Sequence, residues 1–356
     1  MPKELHVPKL LSAALLTLSL ILLVNATACA GERASAGSDE TTTLRLGYFP
    51  NLTHAQALIG VANGAFQAEL GPAVKLVPKT FNAGPVEIDA IFAGELDAAF
   101  IGPNPAINGF VKSQGEALRI VAGGASGGAL FIVRPGANIS GASDLARKVI
   151  ASPQLGGTQD VALRTFIAGA GLKTRENGGN VTVQPLANAD TLTRFRQGDL
   201  DGAWAPEPWA TRLVQEAGGR VLVDERSLWP DGRFATTNLV VSTAFLARHP
   251  EAVEGLIRGL VAVTQFVGER PQEARQLVNS EIERLTSVSL PTAVIEAAWT
   301  SIEFTWDPIA PSIRKSAADA FALGFLGARK PDFSTLIELG PLNRVLAERR
   351  LPAVAQ

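Results

Sequence analysis

Gly94-Glu95-Leu96-Asp97-Ala98-Ala99-Phe100 returns as Gly198-Asp199-Leu200-Asp201-Gly202-Ala203-Trp204, an offset of 104 residues from 94 to 198. All seven positions are identical or conservatively replaced, more than shared composition provides. The flanks repeat too: Asn82-Ala83-Gly84 and Asn188-Ala189-Asp190 lie upstream, Pro103-Asn104-Pro105 and Pro206-Glu207-Pro208 downstream. Pro50-Asn51-Leu52 and Pro153-Gln154-Leu155 extend the echo to an earlier loop. A period this long, present twice, is unlike the roughly 20–50-residue units of solenoids and propellers. It predicts two similar α/β lobes with a cleft between equivalent loops.

The bulk properties agree. A chain of 356 residues fits about two domains, and 46% hydrophobic with 19% charged residues suits a globular protein with a large core. The 32 Lys and Arg against 34 Asp and Glu give a net charge of −2, and no basic block breaks the balance, so no nucleic-acid partner is expected. Three histidines (His6, His54, His249) and one cysteine form no metal-ligand cluster. No cofactor motif is found either. Gly123-Gly124-Ala125-Ser126-Gly127-Gly128 lacks the lysine of a phosphate-binding loop and precedes a strand, so it reads as a flexible crossover near the cleft.

The N-terminus stands apart. Lys3 and Lys9 precede an apolar run over 10–24, too short for a membrane span of about 20 residues, followed by Ala26-Thr27-Ala28-Cys29. A positive start, an apolar centre and a small-residue exit make a secretory signal over 1–28. Cys29, the sole cysteine, stands at the cleavage point, where Ala26-Thr27-Ala28-Cys29 resembles the lipobox of bacterial lipoproteins. The expectation is an exported protein, anchored through lipid on Cys29 at the outer face of the cell membrane or in the periplasm. Residues 29–42, small and polar, read as a tether.

Short apolar runs alternate with helical segments through the first two-thirds, the pattern of parallel-sheet α/β domains. Strands are expected over 44–48, 74–77, 98–101 and 118–121, then over 149–151, 181–183, 203–205 and 221–223. Runs at 129–133 and 238–241 are candidates for strands linking the lobes. Lobe 1 then comprises 43–136 and 236–356, and lobe 2 comprises 137–235. From Pro250 the pattern is wholly helical, with five segments near 251–268, 271–284, 291–303, 311–327 and 333–348, expected to pad lobe 1.

The loops after the strands carry the chemistry. Asn51-Leu52-Thr53-His54, Gly84-Pro85, Pro103-Asn104, Gly157-Thr158, Asp190-Thr191 and Glu207-Pro208-Trp209 each open a helix beyond the carboxyl end of a strand, where open α/β sheets bind ligands. Helix starts have unpaired N–H groups and partial positive charge, so such a cleft holds an anion without lysine or arginine. Asn51, Thr53, Thr158 and Asp190 also read as plain helix caps. Trp209 offers a flat apolar wall with one N–H donor beside a carboxylate fixed between two prolines. Asp97 and Asp201 occupy the same place in both repeats, which argues for shared turn chemistry and against a catalytic acid pair. With no credible nucleophile–base pair in the cleft, an enzyme is not expected.

Gly47-Tyr48-Phe49-Pro50-Asn51 with Thr53-His54-Ala55, Phe81-Asn82-Ala83-Gly84-Pro85, the 94–99 segment, Gly102-Pro103-Asn104-Pro105 and Glu207-Pro208-Trp209 resemble a set of ordered motifs. Together they are similar to the substrate-binding proteins of ABC importers for aliphatic sulfonates, nitrate and taurine, the sulfonate branch matching best, over about residues 43–250. The resemblance implies the two-lobed type II periplasmic-binding-protein fold, with a helical C-terminal extension on lobe 1. It implies a monomer that closes on a small anion or zwitterion and presents it to a permease and its ATPase. It also implies that Asn51, His54, Asn82, Asn104, Ser126, Thr158, Gln159, Asn188 and Glu207 stand near the ligand. Phe49, Gly84 and Trp209, in the same loops, complete the candidate set. An aliphatic sulfonate is the expected ligand; nitrate, taurine and thiamin-precursor pyrimidines are alternatives on this fold. From other classes, a pyrimidine-precursor synthase or a ligand sensor would use the same cleft.

Overall fold

The computed structural model describes residues 41–355; the signal segment 1–28, Cys29 and the tether as far as Glu40 lie outside them. The first series of strands is β1 (Thr42–Tyr48), β2 (Val74–Thr80), β3 (Ala98–Ile101) and β4 (Leu118–Gly127). The second is β5 (Ala129–Val133), β6 (Val149–Ser152), β7 (Thr182–Pro185), β8 (Gly202–Pro206) and β9 (Arg220–Asp224), followed by β10 (Ala235–Ser242) and β11 (Ile302–Phe304). One sheet runs β11-β4-β10-β3-β1-β2 and the other β9-β5-β8-β6-β7.

These orders are the same topology twice. In the first sheet β1 pairs in parallel with β2 and β3, and β10 runs antiparallel between β3 and β4. In the second, β6 pairs in parallel with β7 and β8, and β5 runs antiparallel between β8 and β9. Each sheet thus receives one antiparallel strand from just after a crossing between lobes. The chain changes sheets at Gly127-Gly128 and again between β9 and β10. Residues 129–133 therefore belong to the second sheet, and the first crossing falls ahead of the boundary expected after residue 136.

Each position of the repeated heptapeptide has a physical task. Gly94 and Gly198 take φ of +68° and +85° just past the helices α3 (Gly84–Phe92) and α6 (Asn188–Gln197), a conformation costly for any side chain. Leu96 and Leu200 are buried plugs. Asp97 accepts from the Arg45 backbone N–H at 2.8 Å, and Asp201 from the Val149 N–H at 2.9 Å. Arg45 and Val149 are again 104 residues apart, on β1 and β6, the strands that pair in parallel on both sides in their sheets. Each carboxylate also pairs with arginine, Asp97 with Arg45 and Asp201 with Arg134. Phe100 and Trp204 then fill the two cores.

The expected crossover at Gly123–Gly128 is mostly strand. β4 continues through Gly127 because β10 and β11 flank it with backbone partners. The glycines serve close approach: a Cβ at Gly123 would lie 2.1 Å from the Asp307 carbonyl oxygen, and one at Gly127 2.4 Å from that of Ser301. The C-terminal third is likewise not wholly helical. After α8 (Thr243–Arg248), α9 (Pro250–Glu269), α10 (Pro271–Thr286) and α11 (Thr292–Trp299), β11 adds an edge strand to the first sheet; α12 (Ala310–Ala322) and α13 (Gly340–Glu348) follow. The last helix begins seven residues later than the apolar spacing suggested, because Leu336 and Glu338 instead bond the backbone of Ile120.

Apolar layers cover both faces of each sheet. The amphipathic α9 buries Val253, Leu256, Ile257, Leu260 and Val261 against α1 (Ala55–Ala62) and α2 (Ala65–Leu70), on the side of the first sheet. Among the described residues, no helix is long and apolar enough to cross a membrane.

Candidate ligand-binding cleft

Two chambers that share Phe49, Asn51, Asn82 and Asn188 in their linings lie between the lobes. The inner one is lined from lobe 1 by the β1–α1 loop, the start of α3 and the start of α4 (Pro103–Lys112), and from lobe 2 by the start of α5 (Thr158–Gly169) and of α6. Five helix starts converge there, and none carries a side-chain cap. Asn51, Thr158 and Asp190 therefore do not act as caps, and α6 begins at Asn188, two residues before the expected Asp190. Residues of these first turns line a cavity of about 50 Å³. At about 10–15 Å³ per water, that is room for about three to five waters, or one oxyanion group.

The inner lining has no lysine, arginine or carboxylate. Its polar groups are neutral. His54 is buried, and burial lowers its pKa to about 3, so the ring stays uncharged. The Phe49 N–H donates to His54 Nδ1 at 3.3 Å, which assigns the ring proton to Nε2 as a donor. Thr158 is only 8% exposed, and its Oγ1 has no partner; nor has Oε1 of Gln154. A buried hydroxyl without a partner costs about 1–3 kcal/mol, so such groups in a cavity wall mark a place for a ligand. Asn82, Gln159 and Asn188 add amides.

Both rims of the cleft are bridged. Trp209 Nε1 donates to Asn51 Oδ1 at 3.0 Å, and Asn108 Nδ2 to the Gly156 carbonyl at 3.3 Å. Thr158 also reaches Gly102 of the opposite lobe, where a Cβ would stand 2.3 Å from Thr158 Oγ1. The lobes are thus in contact around the inner chamber.

The model of the NMT1-like family matches residues 37–282, more than half of the chain. The chain belongs to the NMT1-like family. Among relatives, this NMT1-like chain is 24% identical over 197 residues to a provisionally named binding protein of Brucella abortus. That match covers 55% of the chain and 58% of the relative, so it spans little more than half the relative's length. Solved structures share the fold at low identity. The alkanesulfonate-binding protein SsuA of Xanthomonas axonopodis pv. citri, bound to MOPS, is 19% identical with a TM-score of 0.69, over 85% of this chain and 99% of that one. The nitrate-binding protein NrtA of Synechocystis PCC 6803 is 15% identical with a TM-score of 0.70, over 88% and 90%. The fold also occurs in the desulfurization enzyme DSZB, 16% identical with a TM-score of 0.63, over 86% and 99%.

In the NMT1-like chain, Phe49, Asn51, His54, Asn82, Gly84, Thr158, Gln159 and Asn188 line the inner chamber. Trp209 lines the outer one. Three expected residues line neither. Asn104 lies under the cleft with Nδ2 3.4 Å from the Ser316 carbonyl. Ser126 Oγ accepts from the Phe234 N–H at 3.2 Å, beside the crossing at Gly127-Gly128. Glu207 turns into helix α7 (Trp209–Ala217), accepting from the Thr211 N–H at 3.0 Å and its hydroxyl at 2.9 Å, with Ser301 Oγ at 3.4 Å. Burial raises the Glu207 pKa to about 7 against these hydrogen bonds. Its place is structural because α7 starts two residues later and supplies its own donors.

Thr53, read from the sequence only as a cap and as part of the first loop motif, also lines the inner chamber, as do Gln154 and Thr236, which were not among the expected site residues. Gln154 was within reach, since Pro153-Gln154-Leu155 echoes Pro50-Asn51-Leu52. Thr236 sits on β10 with no motif around it.

Proposed function

We propose that this protein captures a small oxyanionic compound, an aliphatic sulfonate, between its lobes and delivers it to the permease of an ABC importer. The observation that carries the reading is the small, charge-free inner chamber with an unpartnered Thr158 hydroxyl. Neutral donors and helix starts from both lobes suit a strong-acid anion, which needs no proton and accepts hydrogen bonds only. Only a closed cleft supplies both sets of donors, so ligand and closure stabilise each other. Micromolar affinity corresponds to about −8 kcal/mol, within reach of several hydrogen bonds of about 1–1.5 kcal/mol, more to a charged group. The lining holds no cysteine, serine, lysine or carboxylate, which favours binding over catalysis. The N-terminal sequence supports export and lipid attachment at Cys29.

Titration calorimetry with hexanesulfonate tests this directly. A single micromolar site is expected, weakened about tenfold or more by Asn82→Ala and by Thr158→Val without a lower melting temperature. Unchanged affinity in both variants would remove the inner chamber as the site.

A further inference from the structure

The outer chamber is large where the inner one is tight, and its walls differ in kind. It has a volume of about 500 Å³, in the range that buries drug-sized organic molecules, typically about 300–1,000 Å³. Phe49, Asn51, Asn82 and Asn188 line both chambers, so a ligand whose head occupies the inner one has its tail directed into the outer. Apolar surface comes from three directions: Phe81 on lobe 1, Leu192 and Trp209 on lobe 2, and Val288 and Leu290 beyond α10. Trp209 is held in place twice, by its Nε1 bond to Asn51 and by the Arg212 guanidinium 4.6 Å from its ring centre.

The chamber's charge is also specific. Arg196 and Arg212 both line it, and no carboxylate does. The two guanidiniums share one carboxylate behind the wall, Glu216, at 2.6 Å and 2.7 Å. One positive charge is left over. An ammonium on the tail would meet this excess with no acid to pair it, whereas an uncharged apolar tail would meet Trp209, Leu192 and Leu290.

Building on the sulfonate reading, we infer that the outer chamber selects organosulfonates with a bulky apolar tail free of positive charge, a hexyl chain or a two-ring aryl group. Nitrate, methanesulfonate and taurine leave the chamber unfilled or put an ammonium beside its arginines. Trp209 is the residue that sets this preference, because it forms part of the tail's wall and ties that wall to the head-binding loop through Asn51.

Calorimetry of the purified protein with nitrate, methanesulfonate, propanesulfonate, taurine, hexanesulfonate and 2-naphthalenesulfonate tests the inference. Hexane- and naphthalenesulfonate are expected to bind about a hundredfold tighter than methanesulfonate, from the added apolar burial. Taurine is expected about tenfold weaker than propanesulfonate, with Arg196→Gln narrowing that gap. Trp209→Ala should erase most of the advantage of long tails. Trp209→Phe, which keeps an apolar wall but lacks the bond to Asn51, should retain the tail preference while lowering all affinities together. Equal affinity for every sulfonate, or a preference for taurine, overturns the inference and leaves the sulfonate reading standing. Binding of none of these anions overturns both.

Discussion

Replacing Gly102 by alanine is expected to weaken ligand binding about five- to hundredfold while the unliganded protein stays folded. Gly102 has an ordinary extended backbone (φ −67°), so alanine adds no conformational strain. The obstacle is across the cleft. An added Cβ would stand 2.3 Å from Thr158 Oγ1 and 3.5 Å from the Thr236 carbonyl oxygen. The first contact is far inside van der Waals range, and Thr158 sits at the start of α5, where it cannot swing away without losing its place in the wall. Overpacking of this kind costs about 1–3 kcal/mol, and the cost falls only on the closed state. Small-angle scattering checks this: hexanesulfonate should shrink the wild type more than Gly102→Ala. Adding Thr158→Ala should restore closure by removing the clashing hydroxyl, though not full affinity. Wild-type affinity and closure in Gly102→Ala would show that this contact does not limit the closed cleft.

Replacing Glu87 by methionine is expected to stabilise the protein, and more at pH 8 than at pH 5. Glu87 is fully buried in the first turn of α3, against Gly47 and Leu96, and neither carboxylate oxygen has a partner. Burial lifts its pKa well above 4.5. A carboxyl with a raised folded-state pKa is tolerated while protonated, and stability is lost as pH rises from the unfolded pKa through the folded one. Methionine has similar volume and no charge to desolvate. At pH 8 the gain should be about 1–3 kcal/mol, raising the melting temperature by roughly 1.5–4.5 °C, and it should shrink toward pH 5. An equal loss of stability at both pH values would mean that Glu87 has a compensating role.

The fold was legible because the repeat encodes local geometry. A left-handed glycine and a plug leucine are short-range requirements, and both lobes meet them with the same residues, followed by an aspartate that accepts from the backbone of β1 or β6. The inner chamber was legible for the same reason, since helix starts beyond strands are set by local sequence. Most of what failed depended on partners distant in the chain. Glu207, by contrast, was misplaced for a local reason: Thr211, four residues on in α7, supplies its two shortest hydrogen bonds and turns it away from the cleft. The glycine run at 123–128 looked like a loop because its strand partners lie more than a hundred residues ahead, on β10 and β11. The outer chamber was not foreseen because Ile282, Val288 and Leu290 arrive from a C-terminal extension whose apolar spacing marked only helices.

A crystal structure of the protein grown with 2-naphthalenesulfonate tests the central claim most directly. The account predicts sulfonate oxygens within hydrogen-bonding distance of Thr158 Oγ1 and Asn82, with the rings in the outer chamber beside Trp209. A sulfonate bound anywhere else, or an inner chamber holding only water at saturating ligand, would contradict it.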